Sequence, residues 1–382
     1  MSHVDVREPI RSVQRITLVI ATLGPGGAER VLSMMANYWA ERGKLVTLIT
    51  LGGGASDFYQ LDAGVRRVAL NLLGDSRNAY QAFRNNARRL RRLRSAIKLS
   101  NPEVVISFTD TTNILVLLAT CGLDIPVIVS ERIDPRFHVI GRMWNHTRQF
   151  TYRWAHAVVV QTESVREWAL SFLRPDRVVR IPNAVEARQS FHETGDPGIV
   201  LPRKPFIAAM GRLEPQKGFD LLVDAFAVVT SSMPQWSLVI IGEGAERERL
   251  RELAQRQGIL SRVYFIGRVT DPCLVLRTAE MFVLSSRYEG FPNALLEAMS
   301  CGCAVISFDC PSGPADLIRN DENGILVPPQ DTIALADAML RLMGDAAQRA
   351  RLGKAAGEVN ERFSPAEIMQ QWEQVIGGVL AR

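Results

Sequence analysis

Two cations flank a short loop that could bind phosphate. Arg212 and Lys217 lie five positions apart in a segment bounded by Gly211 and Gly218, which follows a buried strand and precedes a helix. Both side-chain types bind phosphate groups, and a helix N-terminus favours an anion. The segment alone is also compatible with two solvated loop cations.

A second segment, SRYEGFPNALLEA, carries two carboxylates in different settings. Glu289 lies in a loop after a strand, and Glu297 lies more than one turn into a helix that Pro292 can start. The backbone N–H groups near Asn293 and Ala294 should lack helical acceptors and could bind a diphosphate.

A carboxylate can accept hydrogen bonds from vicinal sugar hydroxyls. The alternative makes Glu289 an exposed loop acid and Glu297 part of a solvated helix face. Apolar neighbours on every side of Glu297 weaken that alternative.

The elements that must position these residues alternate between strand and helix. Short runs rich in Val and Ile, bounded by turn residues, predict strands, and repeated β-α units predict parallel sheets covered by helices. The predicted strands are 16–20, 46–50, 104–107, 127–130, 157–161, 206–210, 237–241, 263–266, 281–284, 304–308 and 325–327. Helices are predicted over 28–42, 221–231, 246–256 and 292–300.

The periodicity lapses in a polar, Pro- and Gly-rich stretch between the two halves. We therefore predict an N-terminal domain over residues 1–185, a linker over 186–204, a C-terminal domain over 205–362 and a final helix over 363–382 that crosses back to the N-terminal domain. The predicted fold class is α/β, with two Rossmann-like, doubly wound domains facing each other. Ligands of such sheets bind beyond the carboxyl ends of the strands, which predicts a site in the cleft between the domains.

An ordered set of motifs carries a family resemblance. It comprises G-R-L-x-x-x-K-G, I-G-E-G, F-I-G-R-V, S-S-R-Y-E-G-F-P-N-A-L-L-E-A-M-S-C-G and N-G-I-L-V-P over about residues 206–328, with G-G-A-E-R at 26–30 and I-P-N-A-V at 181–185. The set resembles the family 4 retaining glycosyltransferases of GT-B fold. The segment D-C-P-S-G-P at 309–314 resembles bacterial members that extend lipid-linked oligosaccharides, often from N-acetylhexosamine donors.

The resemblance implies roles for individual residues. Arg212 and Lys217 would hold the donor diphosphate and offset leaving-group charge, and Glu289 would contact the transferred sugar; these three form the predicted catalytic set. Glu297 would hold the ribose hydroxyls. The implied nucleotide-sugar site comprises Gly26, Gly27, Arg268, Val269, Asn293, Ala294, Leu295 and Glu297. Within it, Arg268 and Val269 would border the base, and the two glycines would let the backbone approach the phosphates.

The sequence does not identify the catalytic group on the acceptor side. Many family members have a His at a strand end that faces the reacting sugar, whereas this chain has Asp110 and the run Ser130-Glu131-Arg132 at the candidate positions. His138, His146 and His156 are interpreted as structural or surface residues. The implied mechanism needs no dedicated protein base, because a phosphate oxygen can serve. The sequence has no D-x-D pair, so we predict metal-independent transfer with no cofactor besides the UDP-sugar co-substrate.

A run of cations lies at near-helical spacing beside the apolar residues Phe83, Leu90, Leu93 and Ile97. The predicted acceptor or membrane contacts are Arg84, Arg88, Arg91, Arg92, Arg94 and Lys98. Such a helix is typical of proteins on anionic membranes and could also bind a lipid-linked pyrophosphate. The alternative is a solvated basic face. Nucleic acid is not predicted, since no aromatic residues alternate with the cations.

Composition limits the remaining possibilities. The 382 residues are 47% hydrophobic and 22% charged, which is typical of globular proteins. The five cysteines show no disulfide spacing and favour a reducing compartment. Residues 1–190 hold 26 Lys and Arg against 16 Asp and Glu, whereas the remainder has an acidic excess. A basic N-terminal half, with neither a signal peptide nor a transmembrane run, predicts a cytoplasmic protein bound peripherally to the inner face of the plasma membrane.

A nicotinamide-dependent dehydrogenase is not predicted. The Gly24-x-Gly26 element lacks the third glycine of the dinucleotide fingerprint, since Glu29 holds that position. The predicted function is transfer of a sugar, an N-acetylhexosamine by resemblance, from a UDP-sugar to a polyprenyl-diphosphate-linked glycan. The alternatives are a glycosyltransferase that uses a soluble acceptor and an inactive sugar-nucleotide-binding assembly protein.

Overall fold

The chain forms two units, each with its own parallel sheet. The computed structural model describes residues 13–54, 57–74, 79–138, 140–185 and 201–382. Within them, the first unit contains the residues up to Gln161, residues 165–181 and residues 368–382. The second unit contains residues 162–164, 182–185 and 201–367. Residues 186–200 of the predicted linker lie outside the described residues.

The first unit is built on a sheet whose strands all run parallel. Its strands are β1 (Arg15–Ile20), β2 (Leu45–Thr50), β3 (Arg66–Ala69), β4 (Val104–Phe108), β5 (Val127–Ser130), β6 (Ala157–Val160) and β7 (Val178–Arg180). Their spatial order is β3-β2-β1-β4-β5-β6-β7. The central strands are almost wholly buried, as expected where helices cover both faces of a parallel sheet.

The helices of the first unit divide between the two faces of the sheet. They are α1 (Gly27–Glu41), α2 (Ala79–Ser100), α3 (Asp110–Thr120), α4 (Arg142–Thr151) and α5 (Glu163–Leu170). The crossovers through α2, α3 and α4 all run in one direction across the sheet, so right-handed connections place these three helices on one face. A shared apolar core confirms this arrangement, because Leu93 of α2, Ile114 of α3 and Tyr152 after α4 belong to one buried cluster.

The second unit repeats this plan with its own core. Its strands are β8 (Phe206–Met210), β9 (Ser237–Ile241), β10 (Val263–Gly267), β11 (Met281–Leu284), β12 (Ala304–Phe308) and β13 (Ile325–Val327), in the order β10-β9-β8-β11-β12-β13. Its helices are α6 (Phe219–Val229), α7 (Arg247–Arg256), α8 (Cys273–Thr278), α9 (Asn293–Ser300), α10 (Pro314–Leu317), α11 (Thr332–Gly344), α12 (Ala346–Ala356) and α13 (Val359–Arg362).

The last helix, α14 (Pro365–Leu380), belongs to the first unit from Ile368 onward. Its apolar positions at helical spacing are buried, and Trp372 stacks on Phe108 with ring centroids 6.0 Å apart. Burial of such a large aromatic surface stabilises the attachment of this helix to the first unit.

Two strands of the first unit were not predicted. β3 and β7 are short, lie at the edges of the sheet, and contain arginine in place of a continuous apolar run. Periodicity detects strands that are buried on both faces and misses such edges. The predicted doubly wound α/β architecture is confirmed in both units.

Candidate functional site

The candidate site in the second unit lies at the switch point of its sheet. Strands β8 and β11 are neighbours although β9 and β10 lie between them in sequence. Connections from such a pair leave in opposite directions, and the loops at their carboxyl ends form a binding crevice. The loop after β8 carries Arg212 and Lys217, and the loop after β11 carries Glu289.

The two loops are in direct contact. Gly218 adopts a left-handed conformation with φ 60°, and a Cβ added there would lie 2.1 Å from the carbonyl oxygen of Ser285. The Ser285 hydroxyl donates to the Lys217 carbonyl at 3.0 Å. Only glycine fits so close an approach of two backbones without strain, so the position of Lys217 is fixed by the loop after β11.

Lys217 and Glu289 form a partly buried ion pair. The Lys217 Nζ lies 2.7 and 2.8 Å from the two carboxylate oxygens of Glu289. The Ser286 hydroxyl donates to Glu289 Oε1 at 2.6 Å. The side chains of Lys217 and Glu289 are 17% and 5% exposed. The alternative of an exposed loop acid at Glu289 is therefore wrong.

Arg212 occupies a different environment from Lys217. Its side chain is 64% exposed, and its Nη1 donates to Glu214 at 3.0 Å within the same loop. The two cations therefore differ in how firmly they are held: the protein fixes Lys217, whereas Arg212 can change its rotamer at little cost.

A second ion pair, which the sequence did not indicate, joins the loop after β11 to the start of α6. Arg287 donates to both carboxylate oxygens of Asp220 at 2.9 and 2.7 Å, and to the Pro215 carbonyl at 2.6 Å. Burial acts to raise the pKa of Asp220, but the hydrogen bonds and charge of Arg287 prevail and lower it from its ordinary value. Bidentate pairing of this kind fixes geometry as well as charge.

Helix α9 presents its first turn beside Glu289. It starts at Asn293, and its first internal hydrogen bond runs from the Leu296 N–H to the Pro292 carbonyl at 3.0 Å. The N–H groups of Ala294 and Leu295 therefore lie in the turn for which the helix itself provides no acceptor. The prediction of an unpaired N–H is wrong at Asn293, which donates to the Phe291 carbonyl at 2.9 Å.

Two contacts outside the predicted site fix this helix start. The amide Nδ2 of Asn183 donates to Asn293 Oδ1 at 2.7 Å, and Asn183 is 2% exposed. Gly313, at φ 112°, packs so closely that a Cβ would lie 2.4 Å from Cδ of Pro292. Both residues lie in segments that carried the family resemblance, I-P-N-A-V and D-C-P-S-G-P. The sequence alone gave them no role, since their partners are distant along the chain.

The remaining predicted donor residues of the second unit lie at the same edge of the sheet. Glu297 is half-buried on α9. Arg268 and Val269 follow β10, which is separated from β8 by β9. Arg268 is exposed, whereas Val269 packs against a small apolar cluster that contains Phe206. Their contacts with a nucleotide stay a prediction.

The first unit has its own switch point between β1 and β4. Gly26 caps α1, and Gly27 is its first residue. The Glu29 carboxylate lies directly over Gly26, and a Cβ added at Gly26 would be 2.1 Å from Glu29 Oε2. The sequence led us to expect that a Cβ here would obstruct phosphate; in this structure it would first meet Glu29.

Three candidates for the acceptor-side catalytic group lie at or just after the ends of β4 and β5, the strands next to β1 on that side of the sheet. Asp110 starts α3 after β4 and lies 3.5 Å from Nε2 of His138. Arg132 follows β5, and its guanidinium lies 4.1 Å from the centre of the Phe108 ring. Ser130, the last residue of β5, is buried.

Glu131 is the most perturbed of these candidates. It is fully enclosed, accepts from the Tyr152 hydroxyl at 2.7 Å and lies 3.6 Å from Nη1 of Arg148. Burial raises its pKa from 4.5 to about 7, although Arg148 opposes the shift and Asp110 adds to it. A carboxyl in such surroundings serves as a buried link between β5 and α4.

The predicted basic helix, α2, is present, and one part of its interpretation is wrong. Leu93 and Ile97 are fully buried in the core of the first unit, so they offer no apolar face to a lipid. Arg94 is half-buried and donates to the carbonyls of Ala119 and Cys121 at 2.7 and 2.8 Å. The cations of α2 that are exposed are Arg84, Arg88, Arg91, Arg92 and Lys98. The side chain of Phe83 lies outside what the structure describes.

Neither a metal cluster nor a membrane span occurs in the described part of the chain. No group of three or more His, Cys, Asp or Glu side chains there could hold a metal ion. No helix in those ranges is long and apolar enough to cross a bilayer.

Two parallel-sheet α/β units of this kind, with a basic loop and a helix start at the switch point of the second, define the GT-B class of glycosyltransferases. Family models of glycosyltransferases match both halves of the chain. Residues 26–184 match the glycosyl transferase 4-like domain, and residues 198–359 match glycosyl transferases group 1. The chain is a glycosyltransferase and belongs to the family 4 type.

Individual relatives span nearly the whole chain. An α-1,4-N-acetyl-D-galactosaminyltransferase of Campylobacter jejuni, named for its acceptor GalNAc-α-(1→4)-GalNAc-α-(1→3)-diNAcBac-PP-undecaprenol, is 28% identical over 96% of this chain and 99% of its own. Sucrose-phosphate synthase from Thermosynechococcus elongatus is similar in structure, with a TM-score of 0.82, 21% identity, and coverage of 96% of this chain and 100% of that chain. HepE of Anabaena, solved with UDP, has a TM-score of 0.76, 17% identity and the same coverage. These structural similarities bear on the fold alone.

Proposed function

We propose that this glycosyltransferase moves an N-acetylhexosamine from a UDP-sugar to a polyprenyl-diphosphate-linked glycan, with retention of anomeric configuration. It would act at the cytoplasmic face of the plasma membrane. The observation that carries the proposal is the partly buried Lys217–Glu289 pair beside the first turn of α9.

In the proposed complex, the donor diphosphate binds the ammonium group of Lys217. The positive charge of Lys217 is then shared between the diphosphate and Glu289. The N–H groups of Ala294 and Leu295 donate to the same phosphates. Arg212, which is exposed on the neighbouring loop, can turn toward them. A cation and helix N–H groups placed in advance stabilise the charge that develops on the departing nucleoside diphosphate, and such stabilisation contributes most of the catalysis.

The same arrangement suggests how the sugar and nucleoside are held. Once Lys217 engages phosphate, the Glu289 carboxylate can accept hydrogen bonds from the hydroxyls of the transferred sugar. Glu297 would accept from the ribose, and Arg268 and Val269 would border the base. Uridine as the nucleoside is inferred from the family resemblance.

Support for the sugar and acceptor comes from outside the donor site. The Campylobacter jejuni relative is named for an N-acetylgalactosaminyl donor sugar and an undecaprenol-linked acceptor. The exposed cations of α2 would attract an acceptor diphosphate or an anionic membrane surface.

A second candidate acceptor follows from the burial of the apolar side of α2. Because Leu93 and Ile97 pack in the core, the side chains that α2 exposes in place of these two are mainly cations, and exposed charge also suits a soluble anionic acceptor such as a sugar phosphate. Transfer to that class of acceptor is the alternative to be tested.

A release assay for nucleoside diphosphate tests the proposal. UDP-GalNAc, UDP-GlcNAc, UDP-glucose and UDP-galactose would each be combined with a short-chain polyprenyl-diphosphate glycan or with a sugar phosphate. We expect turnover with a UDP-N-acetylhexosamine and the lipid-linked acceptor, and an α-linked product by NMR. Turnover only with the sugar phosphate would establish the alternative acceptor. An inverted product would refute retention.

A further inference from the structure

An exposed apolar stripe runs along α4 and the turn that follows it. Met143, Phe150 and Trp154 are 73%, 59% and 40% exposed. Their spacing of seven and then four residues places them on one side of the helix. The rings of Phe150 and Trp154 lie edge to face with centroids 5.1 Å apart. His146 and Thr147 lie between Met143 and Phe150, so the apolar core of the stripe is the pair of touching aromatic rings, and an exposed aromatic pair of this kind marks a candidate interaction surface.

The opposite side of α4 is anchored, which fixes the direction in which the stripe faces. Arg148 is 2% exposed, and Thr151 and Tyr152 are fully buried. Tyr152 and Arg148 both contact the buried carboxyl of Glu131 at the end of β5. Rotation of α4 to bury the stripe would break these contacts and leave charged and polar groups unpaired in the core.

The segment that carries the stripe is basic, although α5, which contacts α4 through Trp168 and Arg148, carries the exposed Glu167. No Asp or Glu occurs in the sequence from Arg136 to Thr162, and Arg142 and Arg153 flank the stripe on exposed positions. The sequence of α2 also contains no acid. Both α2 and α4 pack on α3 in the same helical layer. The outer surface of this layer therefore combines exposed aromatic and apolar side chains with exposed cations.

We propose that this α4 surface, formed by Met143, Phe150 and Trp154 with Arg142 and Arg153, docks onto an anionic lipid bilayer. Phe150 and Trp154 would enter the boundary between headgroups and acyl chains, the depth that aromatic residues favour. The α2 cations would attract anionic headgroups from beside it. The biological meaning of the docking rests on the proposed function, since a polyprenyl-linked acceptor remains in the bilayer.

A bilayer suits this surface better than a second copy of the chain. Self-association through α4 would bring the arginines of one copy against those of the other, and like charges placed face to face oppose association. An anionic bilayer complements the cations and accepts the aromatic rings in the same step.

Flotation with vesicles tests the docking without donor or acceptor. We expect the full chain to bind vesicles of phosphatidylglycerol and phosphatidylcholine, and to bind pure phosphatidylcholine far less. The double variant Phe150→Ser/Trp154→Ser should lower the partition coefficient about tenfold or more, because two large apolar groups no longer leave water. Val228→Ser/Ile333→Ser is the matched control, since those residues are 63% and 74% exposed in the second unit; it should bind as the parent does.

Depth-dependent quenching supplies an independent measurement. Tryptophan fluorescence of the parent and of Trp154→Phe would be compared on vesicles of bromine-labelled lipid, and the difference reports on position 154. Quenching of that difference by lipids brominated near the headgroup supports docking. Vesicle binding that is unchanged in the double variant would overturn the proposal. The proposal would also fail if the parent formed a dimer in the absence of lipid and the double variant did not, because the stripe would then be a contact between two copies of the chain.

The transferase assay separates this inference from the proposed function. If Phe150→Ser/Trp154→Ser loses vesicle binding but keeps turnover on a short-chain acceptor in free solution, both proposals stand. If the parent transfers sugar to lipid-linked acceptor in vesicles but the double variant does so equally well, docking through α4 fails and the function stands. Vesicle binding without turnover on any acceptor would leave docking intact and refute the function.

Discussion

The Nζ of Lys217 lies within 2.8 Å of both carboxylate oxygens of Glu289, two residues that belong to loops after different strands. Each partner neutralises the other in a nearly closed environment, with the Ser286 hydroxyl completing the coordination of the carboxylate. A diphosphate that reaches Lys217 must compete with Glu289 for the ammonium group. The two residues should therefore respond in opposite ways to substitution.

Lys217→Ala should lower kcat by about a hundredfold or more, because charge on the departing phosphate loses its main cation. It should also weaken UDP binding. Glu289→Gln should lower kcat but leave UDP affinity equal to or tighter than that of the parent, since Lys217 is no longer neutralised. Steady-state kinetics and calorimetric titration with UDP measure both effects.

Lys204→Ala serves as the control for these substitutions, because Lys204 is an exposed cation of the same unit that pairs with Glu280 at 3.8 Å. It should change neither kcat nor UDP affinity. Thermal unfolding must accompany the series, since removing one partner of a buried pair destabilises the fold. A folded Lys217→Ala protein with parental turnover would rule out the assignment.

Asn183 is expected to position the start of α9 through its bond to Asn293. Asn183→Ala should reduce UDP affinity and lower the free energy of unfolding by about 1–3 kcal/mol, the cost of an unpaired buried polar group. Asn323→Ala is a matched control, because Asn323 is 1% exposed and bonds to the Leu317 carbonyl in the same unit. The Asn323→Ala control should lose similar stability and keep its UDP affinity. An equal loss of UDP affinity in the two variants would show that Asn183 contributes to the stability of the fold and not specifically to the UDP site.

Glu297→Ala should weaken binding of UDP by about 1–3 kcal/mol if its carboxylate accepts from the ribose hydroxyls. Binding of uracil-containing ligands that lack those hydroxyls should not change. Glu248→Ala on α7, whose side chain is 80% exposed, supplies the control. Identical affinity of parent and Glu297→Ala for UDP would show that the ribose is held elsewhere.

Glu131 should make the stability of the protein depend on pH. Between pH 4.5 and about 7 the folded carboxyl keeps a proton that the unfolded chain has lost. The free energy of unfolding should therefore fall as pH rises through that window, by at most about 1.4 kcal/mol per pH unit. Glu131→Gln should show a shallower decline in chemical denaturation, whereas Glu373→Gln, at an exposed position of the first unit, should follow the parent. Parallel curves for all three proteins would contradict the expectation.

Transfer is expected to proceed without a divalent metal. EDTA should leave kcat/KM within about twofold of its value in untreated enzyme, because a cation and helix N–H groups can stabilise the leaving diphosphate as a metal would. Loss of activity with the chelator that manganese restores would refute this expectation.

The sequence predicted most of the sheet architecture because the central strands are buried on both faces. β5, β9 and β12 were each predicted with the bounds that the structure shows. The edge strand β3, with the sequence RRVA, was not, since its pairing with β2 depends on a neighbour and its own apolar pattern is weak.

The candidate site was less predictable than the sheets because it depends on contacts between distant segments. The residue types of Lys217 and Glu289 indicated phosphate and sugar chemistry, but nothing in their spacing predicted that they pair with each other. Asn183 and Arg287 contact partners 110 and 67 positions away along the chain. Such contacts follow from the register of the folded sheet and leave no local pattern in a single sequence.

The separation of Arg268 from the Lys217 loop has an evolutionary consequence. The loops after β8 and β11 are clamped together by Gly218 and by the Arg287–Asp220 pair, whereas the segment after β10 lies two strands away along the edge of the sheet. Under the proposed function, in which Arg268 and Val269 border the base, mutations after β10 would change the preferred nucleobase without altering the loops proposed to hold the leaving group. Donor preference would then be able to diversify among descendants through changes in one loop.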